Sequence, residues 1–211
     1  RIHRRQVRDR LKRFPAVDWV FHLENRGEKD SPIIEGTQAL DLSFGDDDPQ
    51  QAVILHHLNG DNAGETAIQP KDSPIEPGKS LRLAPNGGRP ACTSAFPFFN
   101  LQHGDGGAII AVGWTGQRAA TFDRSAAGST RITAGMEKTR LLLHPGEKIR
   151  TPRILLMPWK GDRQAAHNRS AQALQQTLGG REVLDRGRLP VPDHHVGPSR
   201  QHRRHERRDV A

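Results

Sequence analysis

Tyrosine is missing from the 211 residues, cysteine occurs once and methionine twice. The lone cysteine, Cys92, excludes an internal disulfide and leaves the redox compartment undecided. Its local sequence supplies no activating base, so it reads as inert rather than nucleophilic. No apolar run approaches the roughly 18 residues of a membrane span, and the mean hydropathy is −0.73. No membrane partner is expected. The sequence begins at Arg1 without a methionine, and no apolar stretch follows the basic start. No secretory signal is therefore visible, and the default expectation is a cytoplasmic protein.

Lysine and aromatic residues are also unevenly missing: no lysine follows Lys160 and no aromatic residue follows Trp159. The formal net charge of +8 invites a nucleic-acid reading, but its distribution argues otherwise. Residues 1–13 hold seven basic side chains against Asp9, and residues 170–211 hold eight arginines against five acidic residues. The middle is close to neutral. The basic ends lack interleaved aromatics and any recognised motif, so no specific nucleic acid is expected as a partner.

Between those ends, residues 14–160 read as β-structure. Val17, Trp19, Phe21 and Leu23 alternate with other residues, which places the large side chains on one face of a strand. Residues 33–44 form a second extended run in which Leu40, Leu42 and Phe44 share a face. Val53–Leu58 is a third. Phe96–Gln102 and Ala108–Trp114 flank Gly104-Asp105-Gly106-Gly107 and predict a hairpin. Leu81 and Leu83, between Pro77-Gly78-Lys79 and Asn86-Gly87-Gly88, and extended runs over 131–136, 140–143 and 149–159 complete the set. Short strands with Gly/Pro punctuation predict an antiparallel β-sandwich. Asp162 is a suitable helix N-cap, and a linker helix is expected over 161–180, ending at Gly179-Gly180.

Residues 181–211 are Arg, His, Pro, Gly and Asp with scattered aliphatics. Such a stretch buries too little apolar surface to offset its ordering entropy, so a disordered basic tail is expected. Its abrupt onset points to out-of-frame translation of a GC-rich gene; a natural basic tail is the other reading. Residues 1–13 are read as a basic start, truncated or garbled, with no strand assigned to it.

Few motifs carry chemistry. Adjacent residues on a strand face opposite ways, so His56-His57 is a poor chelating pair, and His194-His195 sits in the tail. Asp46-Asp47-Asp48 lacks the spaced ligands and central glycine of a calcium loop. Gly104-Asp105-Gly106-Gly107 has no following helix or lysine to make a phosphate cradle. No metal and no cofactor are expected.

Several runs, in order, resemble the N-terminal domain of the α-galactosidases of glycoside hydrolase family 36. They include Phe14-Pro15-Ala16-Val17-Asp18-Trp19-Val20, Pro97-Phe98-Phe99-Asn100-Leu101-Gln102 and Gly113-Trp114-Thr115-Gly116-Gln117. Leu143-His144-Pro145-Gly146-Glu147, Arg150-Thr151-Pro152-Arg153 and His167-Asn168-Arg169 extend the series, which spans about residues 14–169. The resemblance implies a supersandwich-like domain, followed in the family by a helix and a (β/α)8 barrel with two catalytic aspartates. Retaining hydrolysis needs that carboxylate pair, one as nucleophile and one as acid/base. No segment here supplies a barrel, so no catalytic residue carries over. Arg118 stands where the family usually has a second tryptophan.

The resemblance thus implies a non-catalytic domain of an α-galactosidase-like hydrolase, with the missing barrel as its partner. The alternative is a self-standing carbohydrate-binding sandwich. Trp114 and Gln117 are the candidate carbohydrate-proximal residues: an indole face stacks on sugar C–H groups and an amide bonds hydroxyls. Packing at a sheet end is the competing role for Trp114. Any galactoside binding is expected to be weak.

Overall fold

The computed structural model describes residues 2–11, 14–61, 64–85, 94–113 and 116–185. The extended runs of the sequence become two facing antiparallel sheets and one helix. β1 (Ile2–Leu11) pairs along its whole length with β2 (Ala16–Asn25). The run over 33–44 splits into β3 (Ile34–Glu35) and β4 (Gln38–Phe44), because Gly36 takes φ +61° and turns the chain. β5 (Val53–Leu58), β6 (Pro70–Pro74) and β7 (Ser80–Leu83) follow. β8 (Phe98–His103) and β9 (Gly106–Gly113) form the expected hairpin, with Gly104 at φ +62° in its turn. β10 (Arg118–Arg124), β11 (Thr130–Met136) and β12 (Arg140–Leu141) come next. The chain closes with β13 (Lys148–Arg150), β14 (Arg153–Lys160) and α1 (Arg163–Asp185).

The larger sheet runs β1-β2-β14-β9-β8-β5-β6, with β13 also on β2; the smaller runs β4-β11-β10-β7. Strands β3 and β12 form a separate pair. The antiparallel sandwich expected from the sequence is therefore the architecture. Leu55, Phe99, Leu101, Ile110 and Ile154 of the larger sheet meet Leu40, Phe122 and Ile132 of the smaller in one buried cluster. Phe99 and Phe122 join the sheets edge to face at 5.5 Å. Each such side chain contributes about 1.5–3 kcal/mol through burial.

A second apolar cluster lies on the opposite face of the larger sheet. Ala16, Ile109, Ala111, Leu155 and Met157 are covered there by Ala166 and Leu174 of α1. Asp162 caps the helix by accepting from the Gln164 and Ala165 amides at 2.9 and 3.3 Å. The backbone helix passes through Gly179 and Gly180 to Asp185 instead of stopping at the glycines. A glycine ends a helix by taking a left-handed φ, whereas these two lie within the helical run. Residues 186–211, most of the expected tail, lie outside the described residues.

Three strands escape the sequence patterns. In β10 the inward positions are Arg118, Ala120, Phe122 and Arg124, so charge stands at both ends of the buried face. β6 has prolines at both ends, which is possible because it is the edge of its sheet and pairs only with β5. β1 occupies the basic start, to which the sequence assigns no element. The run over 149–159 is interrupted at Thr151-Pro152, and both halves pair with β2. The buried Thr151 bridges the break: its amide donates to the Phe21 carbonyl at 2.9 Å, and its hydroxyl accepts from the Phe21 amide at 3.1 Å.

Candidate functional site

Of the two residues singled out from the sequence, Trp114 lies outside the described residues. Gln117 is exposed in the turn before β10, at φ +46°, and its carbonyl accepts from the Glu137 amide at 2.7 Å. A left-handed backbone is costly for a residue with a Cβ, and this hydrogen bond helps to hold it. The neighbouring Arg118 is fully buried, with its guanidinium carbon 5.9 Å from the Phe99 ring centre. One nitrogen, Nη2, donates to the Ala95 carbonyl at 2.5 Å, while Nε and Nη1 have no hydrogen-bond partner among the described residues. Burial pushes its pKa down to about 10.

The densest polar cluster is on the helix-covered face of the larger sheet. It borders a cleft of about 370 Å³ between α1 and the β5–β6 edge, with Leu58, Pro70, Phe98 and Ile109 among its apolar walls. Cross-strand register puts His56 of β5 opposite Asp72 of β6 and Asn100 of β8. His56 Nδ1 lies 2.6 Å from Asp72 Oδ1, and Nε2 lies 2.9 Å from Gln102 Oε1. The Gln102 amide nitrogen donates to the Gly104 carbonyl, which fixes its oxygen toward His56. Arg163, in the first turn of α1, brings Nη1 to 2.7 and 2.9 Å from the two ring nitrogens of His56. Simultaneous approach to both nitrogens places the guanidinium over the ring face. Its other neighbour is Asp72 Oδ2 at 3.9 Å. The hydrogen bond from His56 holds the Asp72 carboxyl below its ordinary pKa.

One turn further along α1, His167 reaches Asn100. Trp159 Nε1 donates to Asn100 Oδ1 at 2.8 Å, and Asn100 Nδ2 meets His167 Nε2 at 2.6 Å. Burial, then the charge of Arg163 and then His56, lowers the pKa of His167. His57 leaves β5 on the other side, bonds Ser73 Oγ at 3.0 Å, and is also shifted down, chiefly by burial. The two histidines thus serve different partners. Among the described residues no group of three or more His, Cys, Asp or Glu is arranged to hold a metal ion. Sequence reasoning missed this cluster, since its members come from four strands and a helix. The one local signal was Arg163 and His167 at i, i+4 on a helix that also carries Ala166 and Ala173 toward the same sheet.

A further cleft, of about 380 Å³, opens where β1 and β2 overhang the edge strand β4; Arg4, Gln6, Trp19 and Asp41 line it. Trp19 turns its Nε1 inward to the Ala39 carbonyl. A third, of about 320 Å³, adjoins Arg124 and Glu76. Each of the three clefts has a single carboxylate residue in its wall.

No protein-family model matches the chain, and no curated protein matches it in sequence. Solved structures do match its fold. An α-galactosidase from Lactobacillus brevis superimposes with a TM-score of 0.61 at 16% identity, covering 77% of this chain and 22% of that one. The galactosidase domain of an α-galactosidase-sucrose kinase gives 0.55 at 16% identity, over 70% of this chain and 20% of that one. A family 36 α-galactosidase from Geobacillus stearothermophilus, in complex with raffinose, gives 0.53 at 18%, over 70% and 21%. The expected likeness to a sandwich domain of family 36 α-galactosidases is met at the level of fold. The chain corresponds to about a fifth of the length of these proteins.

Proposed function

We propose that this chain is a non-catalytic sandwich domain of an α-galactosidase-like glycoside hydrolase, built to support a separate catalytic barrel. The observation that carries the reading is the unequal coverage: the match takes up most of this chain and about a fifth of each α-galactosidase. The single carboxylates of the clefts support it. Two carboxyl groups roughly 5–9 Å apart across the scissile bond are needed for acid/base hydrolysis, and none of the three clefts offers a pair. Galactoside binding, if it accompanies the supporting role, falls to Trp114 and Gln117 and is weak.

The test is turnover of a chromogenic α-galactoside by the purified chain, with calorimetric titration of raffinose alongside. The supporting role gives no turnover above a blank and no saturable binding below the millimolar range. Turnover that survives repurification refutes the proposal. Micromolar binding abolished by Trp114→Ala would instead establish the self-standing carbohydrate-binding sandwich. Reading the gene beyond the Arg169 codon in the other two frames tests the same point: strand-helix repeats with strand-end aspartates are the expected continuation.

A further inference from the structure

The polarity of the hydrogen bonds between α1 and the larger sheet can be assigned without ambiguity. An indole nitrogen only donates, so Asn100 Oδ1 is the acceptor of Trp159 Nε1 and Asn100 Nδ2 must be a donor. The atom it faces, His167 Nε2, therefore carries a lone pair. This arrangement requires a neutral His167, protonated on Nδ1 alone. His56 is placed differently: its ring nitrogens meet oxygens of Asp72 and Gln102, and Arg163 Nη1 lies beside both.

We propose that the Trp159–Asn100–His167 relay is an acid-released latch, which holds the first turns of α1 on the sheet while His167 is neutral and frees them when it is protonated. Protonation of Nε2 places two donors face to face and strands Asn100 Nδ2, whose residue is only 4% exposed. It also adds a positive charge one helical turn from Arg163 and beside His56 of β5. Asp72 of β6 is the one carboxylate lining this cleft; it is already engaged by His56 and Arg163. From β8 and β14 the groups facing His167 are the uncharged Asn100 and Trp159. The remaining attachments of the helix are Arg163, which meets His56 and Asp72, and the apolar contacts of Ala166 and Leu174.

The direction follows from the lowered pKa of His167. Docking is fully supported above the free-histidine value of about 6.5 and is lost progressively as pH falls through the depressed value in the docked state. Each unit of depression weakens docking about tenfold at the acid limit.

Hydrogen exchange of the full chain, read by mass spectrometry at pH 7.5 and 5.0 and corrected for intrinsic exchange rates, measures this. Peptides covering 163–174 are expected to lose at least severalfold protection at pH 5.0, while β8 and β9 keep theirs. In His167→Gln the side-chain oxygen still accepts from Asn100 but cannot be protonated in this range, so protection of 163–174 should become pH-independent. Equal acid loss in His167→Gln and the original chain would assign the sensitivity to a group other than His167 and overturn the proposal. Unchanged protection of 163–174 in the original chain would overturn it as well. Neither readout depends on sugar binding or turnover.

Discussion

Arg118 and Arg124 stand six residues apart on the buried face of β10, and replacing each with methionine should have opposite consequences. Arg124 donates to the carbonyls of Ile75 and Gln51 at 2.7 Å and to those of Pro49 and Gly128 at 3.2 Å. It gathers three separate loops with one guanidinium. Pro49 is exposed and Gln51 half-buried, so water can replace the donor at those two. Ile75 and Gly128 are buried, and their carbonyls would be stranded. At about 1–3 kcal/mol for each stranded group, Arg124→Met should cost about 2–6 kcal/mol. That is a large part of the ~5–15 kcal/mol that holds a domain folded. Arg118 is also buried, but among the described residues it has one acceptor, the Ala95 carbonyl, and two nitrogens without a partner. The fall of its pKa to about 10 reflects the cost of keeping the charge away from water. A methionine of similar length removes that cost, which offsets the stranding of the one buried Ala95 carbonyl, so Arg118→Met should be neutral or stabilising. Urea unfolding followed by circular dichroism decides the matter, since ~1–3 kcal/mol per molar urea converts these energies into well-separated midpoints. Equal destabilisation by the two substitutions would refute the reasoning, because burial alone would then set the cost.

Gly128→Ala should prevent folding, since φ is +126° and a Cβ would run into the Asp48 backbone, whereas Gly78→Ala, also at positive φ but facing open space, should cost only about 1 kcal/mol; thermal melts compare them. Asp162→Ala should remove the cap of α1 and cost about 1 kcal/mol, visible as faster exchange of the Gln164 and Ala165 amides with little change in the sandwich. Trp114→Ala should cost well below the ~3–5 kcal/mol of a buried large aromatic if the indole serves a sugar or a docking surface. Unfolding on that substitution would place Trp114 in the core.

The strands legible in the sequence were those whose burial follows chemistry. Val53–Leu58 and the β8–β9 hairpin are apolar where they face the interior and carry glycine where the chain turns. β10 was hidden because two of its four inward side chains are arginines, and an arginine can be buried when backbone carbonyls from distant loops converge on it. No local pattern announces that convergence. β6 was hidden by its prolines, which are permitted only by its position at an edge, a fact of topology. The polar cluster under α1 was illegible for the same reason. His56, Asp72, Asn100 and His167 become neighbours only through strand register and helix docking. The face rule for His56-His57 was legible and describes their separate partners; what it could not supply was Arg163 arriving from 107 residues away.

The edges of the larger sheet bear on how the protein behaves when crowded. A sheet left open at both ends is a template for joining molecules strand to strand. At one end stands β6, whose Pro70 and Pro74 lack amide hydrogens and whose remaining residues are Lys71, Asp72 and Ser73. At the other stands β1, with Arg4, Arg5, Arg8 and Arg10 in ten residues. Two copies approaching β1 to β1 bring like charges together, and two approaching β6 to β6 find too few donors to form a ladder. The same residues that disguise these strands from sequence patterns thus protect the sandwich from fibrillar self-association. Replacing the prolines of β6 with threonine would make the strand easier to recognise and the protein harder to keep in solution.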